Sequence, residues 1–322
     1  MRLRLATVLW YRFGFLLSVL SFSSATFAQS DSLLKRVQLP EFVVSAEGDD
    51  FDLASFMRQV MNDTSFYHAF LNTRFCPHQV RSALNVRNKH ERESASLFRR
   101  GRLVRTGRNA ELVLDSVSES GRLRERDGEI RYLTAEMYDD VFFPKGPYPA
   151  SNRIADRNLE LDRSSRFEKY KSELKKFMFN PGQEIASVPF IGDKLDIFTE
   201  DMALFYDYVL DTDYRDGHHC WVFTAVARDS VDGKLADADD TVIKRMVTWF
   251  DMESMNVLAR DYRIAHASLF LDFDISIRVE NTVVSGELVP VRVRYDGDWD
   301  IPFKKRELVR FWLEYAEWKV GG

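Results

Sequence analysis

The ten residues LDFDISIRVE, at positions 271–280, alternate between apolar and polar side chains at every step. Successive side chains of a β-strand point to opposite faces of the sheet, so this stretch predicts a strand with one apolar and one polar face. Similar patterns follow one another from Thr241 to Trp318, joined by short turns. This part of the chain therefore predicts a large antiparallel sheet, and the functional question is what covers its apolar face.

Further strands are predicted from β-branched and aromatic runs bounded by turn residues. About four lie between Val80 and Val141, and seven lie downstream, which gives about 11 strands in all. The seven are predicted at residues 203–210, 220–227, 241–250, 256–265, 269–284, 288–295 and 306–318.

Two segments have the period of an amphipathic helix. Between Leu53 and Phe70, apolar residues recur at spacings of three and four, with a break at the short polar residues 62–65. Such residues suit a helix cap, so one long helix and two short ones both remain open. A second helix is predicted at residues 165–178, and Asn180-Pro181-Gly182 ends it because proline cannot continue a helix. Its apolar stripe is Phe167, Tyr170, Leu174, Phe177 and Met178.

The first 28 residues have the pattern of a secretory signal. Arg2, Arg4 and Arg12 precede an apolar stretch at residues 13–22, and the small residues Thr26 and Ala28 suit cleavage before Gln29. The apolar stretch is shorter than the roughly 20 residues that cross a bilayer. We therefore expect a periplasmic or secreted protein whose mature chain has no transmembrane segment.

Removal of residues 1–28 takes away three arginines, so the net charge of −5 becomes −8. An acidic chain of this kind argues against nucleic acid as a partner. We expect an extended lead-in at residues 29–51, followed by one domain at residues 52–320. Within it, the proline-rich residues 142–162 predict a long crossing between two groups of strands.

The two cysteines, Cys76 and Cys220, are compatible with a disulfide in an exported protein and equally with two buried thiols. His218, His219 and Cys220 invite comparison with a zinc site. In a strand, however, adjacent side chains point to opposite faces, so His219 does not share a site with the other two. No spacing supplies further ligands, and we expect neither a metal nor another cofactor.

Carboxylates give two further candidates. Asp272 and Asp274 share one face of their strand, as the paired acids of a hydrolase do, but simple alternation also places polar residues there. Residues 296–300, with the sequence DGDWD, suit a hairpin turn better than a weak cation site because Asp-Gly is a strong turn signal. Nucleophile and phosphate-loop motifs are not found in the sequence, which favours binding over catalysis.

A basic run lies at residues 98–105, with Arg108 just beyond it, and includes Arg99, Arg100 and Arg102. A bound anionic headgroup or polysaccharide would explain it. A solvated strand face explains it more simply, because arginines are common on exposed strands.

Two short phrases resemble the outer-membrane lipoprotein-sorting (LolA-like) periplasmic carriers. WFDMESMNV at residues 249–257 resembles a hairpin of that family, in which an aromatic-and-Asp strand end turns and returns. GELVP at residues 286–290 resembles a later strand in which proline follows a glycine turn. The order of helices and strands is similar too.

This resemblance implies an α+β fold: a large, curved, unclosed antiparallel sheet with helices across its concave face. It also implies a hollow that shields acyl chains from water. This chain is longer than the small carriers of that family and adds the basic run and the proline-rich crossing. No functional residue of the family is transferred to a position of this chain.

The function we expect is that of a non-enzymatic carrier whose partner is a hydrophobic ligand or a lipoprotein. A secreted glycan or lipid hydrolase using Asp272 and Asp274 is one alternative. An envelope protein-interaction module presenting Trp299, Trp312 and Trp318 is another. The expected ligand-lining residues are Trp221, Phe223, Trp249, Phe273, Ile275 and Tyr295.

Overall fold

The computed structural model describes residues 43–44, 52–154, 193–231, 233–237, 239–267, 272–300 and 306–321. All described elements fall within one compact unit, Val37–Gly322. The predicted signal sequence, most of the lead-in and the predicted helix at residues 165–178 lie outside the described residues. The limits of one domain at residues 52–320 therefore stay a prediction.

The described α-helices are short. They are α1 (Leu53–Met61), α2 (Ser65–Asn72), α3 (Leu133–Phe142) and α4 (Glu200–Ala203). No helix in the described part of the chain is long and apolar enough to span a membrane.

Long strands make up most of the structure. The described strands are β1 (Val43–Val44), β2 (Gln79–Arg87), β3 (Glu93–Thr106), β4 (Asn109–Gly121), β5 (Tyr148–Pro149), β6 (Tyr206–Arg215), β7 (His218–Ala227), β8 (Ser230–Val231), β9 (Lys234–Leu235), β10 (Ile243–Asp251), β11 (Val257–Ala267), β12 (Asp272–Val284), β13 (Glu287–Asp300) and β14 (Glu307–Ala316).

Twelve of these strands form one sheet in the order β1-β6-β7-β10-β11-β12-β13-β14-β2-β3-β4-β5, and β8 pairs with β9 separately. Every pairing in the large sheet is antiparallel except that of β1 with β6. The last described strand, β14, pairs with β2, so strands far apart in sequence are neighbours inside the sheet. The expected α+β fold with a large, unclosed, curved antiparallel sheet is confirmed.

The register defines two faces of the sheet, because directly opposite residues of paired strands share a face. We call inner the face that carries Phe223, Tyr262 and Phe311, and outer the face that carries Asp261 and Arg310. The burial of β12 alternates strictly from Asp272 to Val279, as the pattern of residues 271–280 predicts. Aromatic side chains of the helices contact the inner face, as Phe56 contacts Phe223.

Residues 62–65 do break the first helical segment, so two short helices form and not one long one. The Asp63 carboxylate accepts hydrogen bonds from the Ser65 backbone N–H (2.9 Å) and the Ser65 hydroxyl (2.7 Å) at the start of α2. The N-cap residue of α2, Thr64, makes no side-chain cap, so Asp63 forms a local turn before the helix in place of the cap that the composition predicts.

The prediction of strands throughout the region from Val80 to Val141 is wrong for α3. Its N-terminal neighbour is Tyr132, which makes no side-chain cap. The Glu307 carboxylate of β14 instead accepts hydrogen bonds from the backbone N–H groups of Leu133 (3.0 Å) and Thr134 (3.1 Å). A cap supplied from the far end of the chain leaves no local sequence signal.

The expected turn at residues 296–300 is also wrong, because these residues continue β13 in register with β12 and β14. Asp-Gly is tolerated in this strand because the Tyr295 side chain covers Gly297. A Cβ atom on Gly297 would lie 2.3 Å from the Tyr295 hydroxyl oxygen. The Trp299 indole N–H donates to the same hydroxyl at 2.6 Å, which holds the tyrosine ring in place. Glycine is therefore required here by close packing.

We expect Gly297→Ala to lower the free energy of unfolding by about 2 kcal/mol, because the added methyl group forces the Tyr295 ring away from Trp299. Urea unfolding measures the change. The matched control is the same substitution in a Tyr295→Leu background, where the overlapping ring is absent and the added cost should largely disappear. An equal cost in both backgrounds would contradict this account of the glycine.

Candidate functional site

The inner face carries an unbroken row of apolar residues across nine neighbouring strands, β6 to β3 in sheet order. With strands about 4.8 Å apart, the row extends over roughly 38 Å. All of its members are buried. They are Tyr208, Ala225, Met246, Tyr262, Ile277, Tyr295, Phe311, Leu84 and Leu97.

Five of the six expected lining residues belong to this inner face. Phe223, Phe273, Ile275 and Tyr295 are buried there, and Trp221 is half-buried. Each has an apolar partner in the described structure or belongs to its main hydrophobic cluster. Tyr295, for example, stacks on Phe311 with ring centroids 4.5 Å apart. These side chains therefore form a packed core between the sheet and the chain that covers it.

Trp249 differs from the other five because it lies on the outer face, in register with Val222 and Ala259. Its indole N–H donates to the Asp213 carboxylate at 3.0 Å. The Arg215 guanidinium lies 5.6 Å from its ring centroid. The set of six expected from the sequence therefore does not share one surface. Successive residues of β10 point to opposite faces, and Phe250, the next residue, points inward. Trp249 therefore points outward.

The helices contribute aromatic side chains to the inner face from above. On α1, Phe56 contacts Trp221, Phe223 and Phe250 with centroids 5.9–6.5 Å apart. On α3, Tyr138 contacts Phe311 at 4.9 Å. These contacts bury large apolar areas, which supply most of the free energy that holds the helices in place.

A buried ion pair connects the α1–α2 corner to the sheet. Arg260 of β11 lies on the inner face, 5% exposed, among otherwise apolar residues. Its guanidinium lies 3.4 Å from the Asp63 carboxylate and donates to the Thr248 hydroxyl at 3.1 Å. It also lies 4.4 Å from the Phe66 ring centroid. Burial lowers the pKa of Arg260, and the charge of Asp63 opposes that shift.

A second ion pair of the same design connects α3 to the sheet. Arg99 of β3 donates to the Asp139 carboxylate at 2.5 Å, and both side chains are buried. The Arg99 guanidinium lies 4.5 Å from the Phe143 ring centroid. In the basic run, Arg100 and Arg102 alternate outward and are exposed. The prediction of a solvated face thus holds for these two and is wrong for Arg99, whose partner lies 40 residues away.

Cys76 and Cys220 are both buried free thiols, so the structure has the second of the two predicted alternatives and no bridge between them. Burial raises the pKa of Cys76 to about 11 and also raises the pKa of Cys220. Both are therefore held as thiols, the form that is a poor nucleophile and a poor metal ligand.

His218 lies next to Asp251, with Nδ1 and a carboxylate oxygen 2.7 Å apart. Burial favours a higher pKa for Asp251. Hydrogen bonds from Ser254, together with His218, outweigh burial, and the pKa of Asp251 is lowered. Among the described residues, no group of three or more His, Cys, Asp or Glu side chains could hold a metal ion.

The carboxylates of Asp272 and Asp274 are exposed on the outer face. Asp274 accepts two hydrogen bonds from Arg263, at 2.9 and 2.6 Å. That pairing lowers the pKa of Asp274 and so favours the charged form. A general acid needs the opposite shift, which this environment does not provide.

The three tryptophans proposed as a partner surface lie apart. Trp299 is buried on the inner face against Phe273, with ring centroids 5.3 Å apart. Trp312 is half-buried on the outer face, and Trp318 packs on His78 beyond the end of β14. Their separation excludes a single contiguous patch made of these three residues.

No protein-family model matches this chain. No curated protein matches it either. Among solved structures, it is similar to an outer membrane lipoprotein-sorting domain from Vibrio parahaemolyticus, with 9% identity and a TM-score of 0.26 over 83% of this chain and 92% of that one.

Two further solved structures are similar at the same level. A DUF1329 family protein from Desulfovibrio piger is 11% identical, with a TM-score of 0.22 over 80% of this chain and 93% of that one. Lipovitellin is 8% identical, with a TM-score of 0.24 over 76% of this chain and 25% of that one.

We expect Arg260→Met to lower the free energy of unfolding by about 3 kcal/mol or more, because it leaves the buried Asp63 carboxylate without its partner. The matched control is Arg263→Met on the same strand. Its pair with Asp274 is exposed, and its loss should cost about 1 kcal/mol at most. Chemical unfolding of both variants measures the difference. Similar losses of unfolding free energy would show that the buried pair contributes no more to stability than the exposed pair.

His78 gives the stability a dependence on pH. It is buried against Trp318, and burial lowers the pKa of its imidazole to about 4. The unfolded chain, with a pKa near 6.5, binds a proton that the folded chain does not bind between those values. Stability from this residue is therefore present above pH 6.5 and is lost as pH falls towards 4, by about 3 kcal/mol at most.

We accordingly expect His78→Phe to flatten the fall in unfolding free energy between pH 7.5 and pH 4.5. Guanidinium unfolding at several pH values measures the slope. The exposed His90 provides the control, since His90→Gln should keep the slope of the unsubstituted protein. If His78→Phe also kept that slope, His78 would not be the group responsible.

Proposed function

We propose that this protein is an exported, non-enzymatic carrier or sensor that binds an apolar chain, such as a lipid acyl chain, between the inner face and its helices. The observation that carries the proposal is the buried apolar row across nine strands. At roughly 38 Å, this row is longer than an extended acyl chain. Export is inferred from the pattern of residues 1–28.

The described helices that cover the row are suited to movement. They are 9, 8, 10 and 4 residues long. Isolated helices shorter than about 12 residues are marginal in water, so these depend on their packing against the sheet. Short elements held mainly by side-chain contacts open at a lower cost than central strands, and ligand-binding elements come from that group.

The free energies involved would allow a bound ligand to replace the contacts that the helices make with the sheet. Burial of about ten methylene groups of an acyl chain contributes roughly 8 kcal/mol. Separating a buried ion pair costs about 3–5 kcal/mol. A bound chain that replaces the aromatic side chains of α1 or α3 could therefore offset both the lost packing and the opening of one pair.

The test uses the full chain, exported with its own leader and purified without detergent. Native mass spectrometry should reveal a bound apolar molecule in part of the population. Delipidated protein should bind dansyl-undecanoic acid with a blue shift and enhanced emission, and oleate should displace the probe. A folded protein that carries no ligand and does not bind the probe would rule out the proposal.

A matched pair of variants tests the route of entry. Asp63→Asn weakens the buried pair that holds the α1–α2 corner, so the probe should associate several-fold faster than with the unsubstituted protein. Asp274→Asn weakens an exposed pair on the outer face and should leave the association rate unchanged. Stopped-flow fluorescence measures both rates. Equal rates in the two variants would place entry elsewhere than beneath this corner.

A further inference from the structure

A groove of about 580 Å³ lies on the outer face, where β11 to β14 and β2 run side by side. Its lining also includes Ile277, Tyr295 and Phe311 of the apolar row, whose side chains the strand register places on the inner face. Its floor includes the small residues Ala83 and Ser276, and larger polar and aromatic side chains rise around them. The lining contains four arginines, three acidic residues and one tryptophan.

The central row of the groove places two like charges opposite one another. Arg278 of β12 pairs in register with Arg294 of β13, which in turn pairs with Trp312 of β14. Ala83 of β2 follows Trp312 in the same row. Like charges directly opposite on neighbouring strands destabilise a sheet, so this arrangement has a cost that some other interaction must offset.

Acidic residues neutralise three of the four arginines. Arg278 lies 3.6 Å from Asp261 and 3.1 Å from Glu280. Arg292 lies 3.4 Å from Glu280 and 3.2 Å from Glu314.

Arg310 completes this set, since its guanidinium lies 2.8 Å from the Asp296 carboxylate. Arg294 is different. It is exposed, and no ion pair or hydrogen bond of its side chain is observed within the described part of the chain. The groove therefore has one guanidinium without an acidic partner, beside a second guanidinium and a tryptophan ring.

We propose that this groove binds an anionic sugar, with its carboxylate or phosphate on Arg294 and Arg278 and the apolar face of its ring against Trp312. A guanidinium binds carboxylate or phosphate through two parallel hydrogen bonds. An aromatic ring supplies a flat apolar surface with a negative face, which attracts the C–H groups of a sugar. A bound anion gives Arg294 the acidic partner that the described residues do not supply, which gives the site its preference for negative charge.

The groove is open to solvent, so salt screens its electrostatic attraction. We expect dissociation constants for small anionic sugars of roughly 0.1–1 mM at low ionic strength. Tryptophan fluorescence should report binding because Trp312 forms one wall. The probes are trigalacturonate, which carries carboxylates, glucose 6-phosphate, which carries a phosphate, and inorganic phosphate, which has no ring.

Trigalacturonate or glucose 6-phosphate should change the fluorescence, and the stronger of the two identifies an acidic polysaccharide or a phosphorylated headgroup as the source. Arg294→Gln should weaken binding at least tenfold, and Trp312→Phe should remove the fluorescence change. Arg102→Gln is the matched control, because Arg102 lies on the outer face of β3, paired with Asp115 outside the groove. This variant should bind as the unsubstituted protein does.

Three results would overturn the proposal: no saturable binding of either sugar below 10 mM, equal affinity of the Arg294→Gln variant, or inorganic phosphate binding as tightly as both sugars. Circular dichroism of each variant checks that the fold is retained. None of these outcomes depends on the inner face, since acyl-chain binding is measured with a different probe. The two proposals can therefore fail separately.

Discussion

Two buried arginine–aspartate pairs determine how the helices lie on the sheet. Arg260 with Asp63 connects the α1–α2 corner, and Arg99 with Asp139 connects α3. Each arginine lies on an apolar face, where an unpaired charge would cost several kcal/mol. Apolar packing alone allows helices to slide, because it has no preferred direction. The pairs are directional, and we infer that, together with the flanking rings of Phe66 and Phe143, they add to the apolar packing a preference for one position of each helix.

The position of α3 on the sheet also depends on the pairing of β14 with β2. That pairing brings Glu307 to the start of α3, where its carboxylate caps two backbone N–H groups. It also places Phe311 beneath Tyr138 of the same helix. The α3 helix therefore depends on partners far away in sequence: its cap comes from β14, and its packing partners come from β14, β2 and β3.

Patterns in the sequence predicted the features that depend on residues close together in the chain. Alternation predicted β12 with its two faces, and the polar residues after Met61 marked where α1 ends, although one long helix and two short ones both remained open. Two of the errors share one cause, which is a partner far away in sequence. Burial of Arg99 depends on Asp139, 40 residues on, and α3 depends on Glu307, 174 residues beyond Leu133. The outward position of Trp249 was implicit in its parity with Phe250, but hydrophobicity alone suggested the inner face.

Alternation also explains how one sheet can carry two kinds of site without conflict. On β13, the register places the side chain of Tyr295 on the inner face and that of its neighbour Arg294 on the outer face. The proposed acyl chain on the inner face would compete with the helices, so its binding would be coupled to their movement. No lining residue of the groove belongs to a described helix, so the proposed sugar would leave the described helices in place. Coupling between the sites would have to pass through the strands, whose hydrogen-bonded register resists small shifts. We therefore infer that each face responds to its own ligand independently.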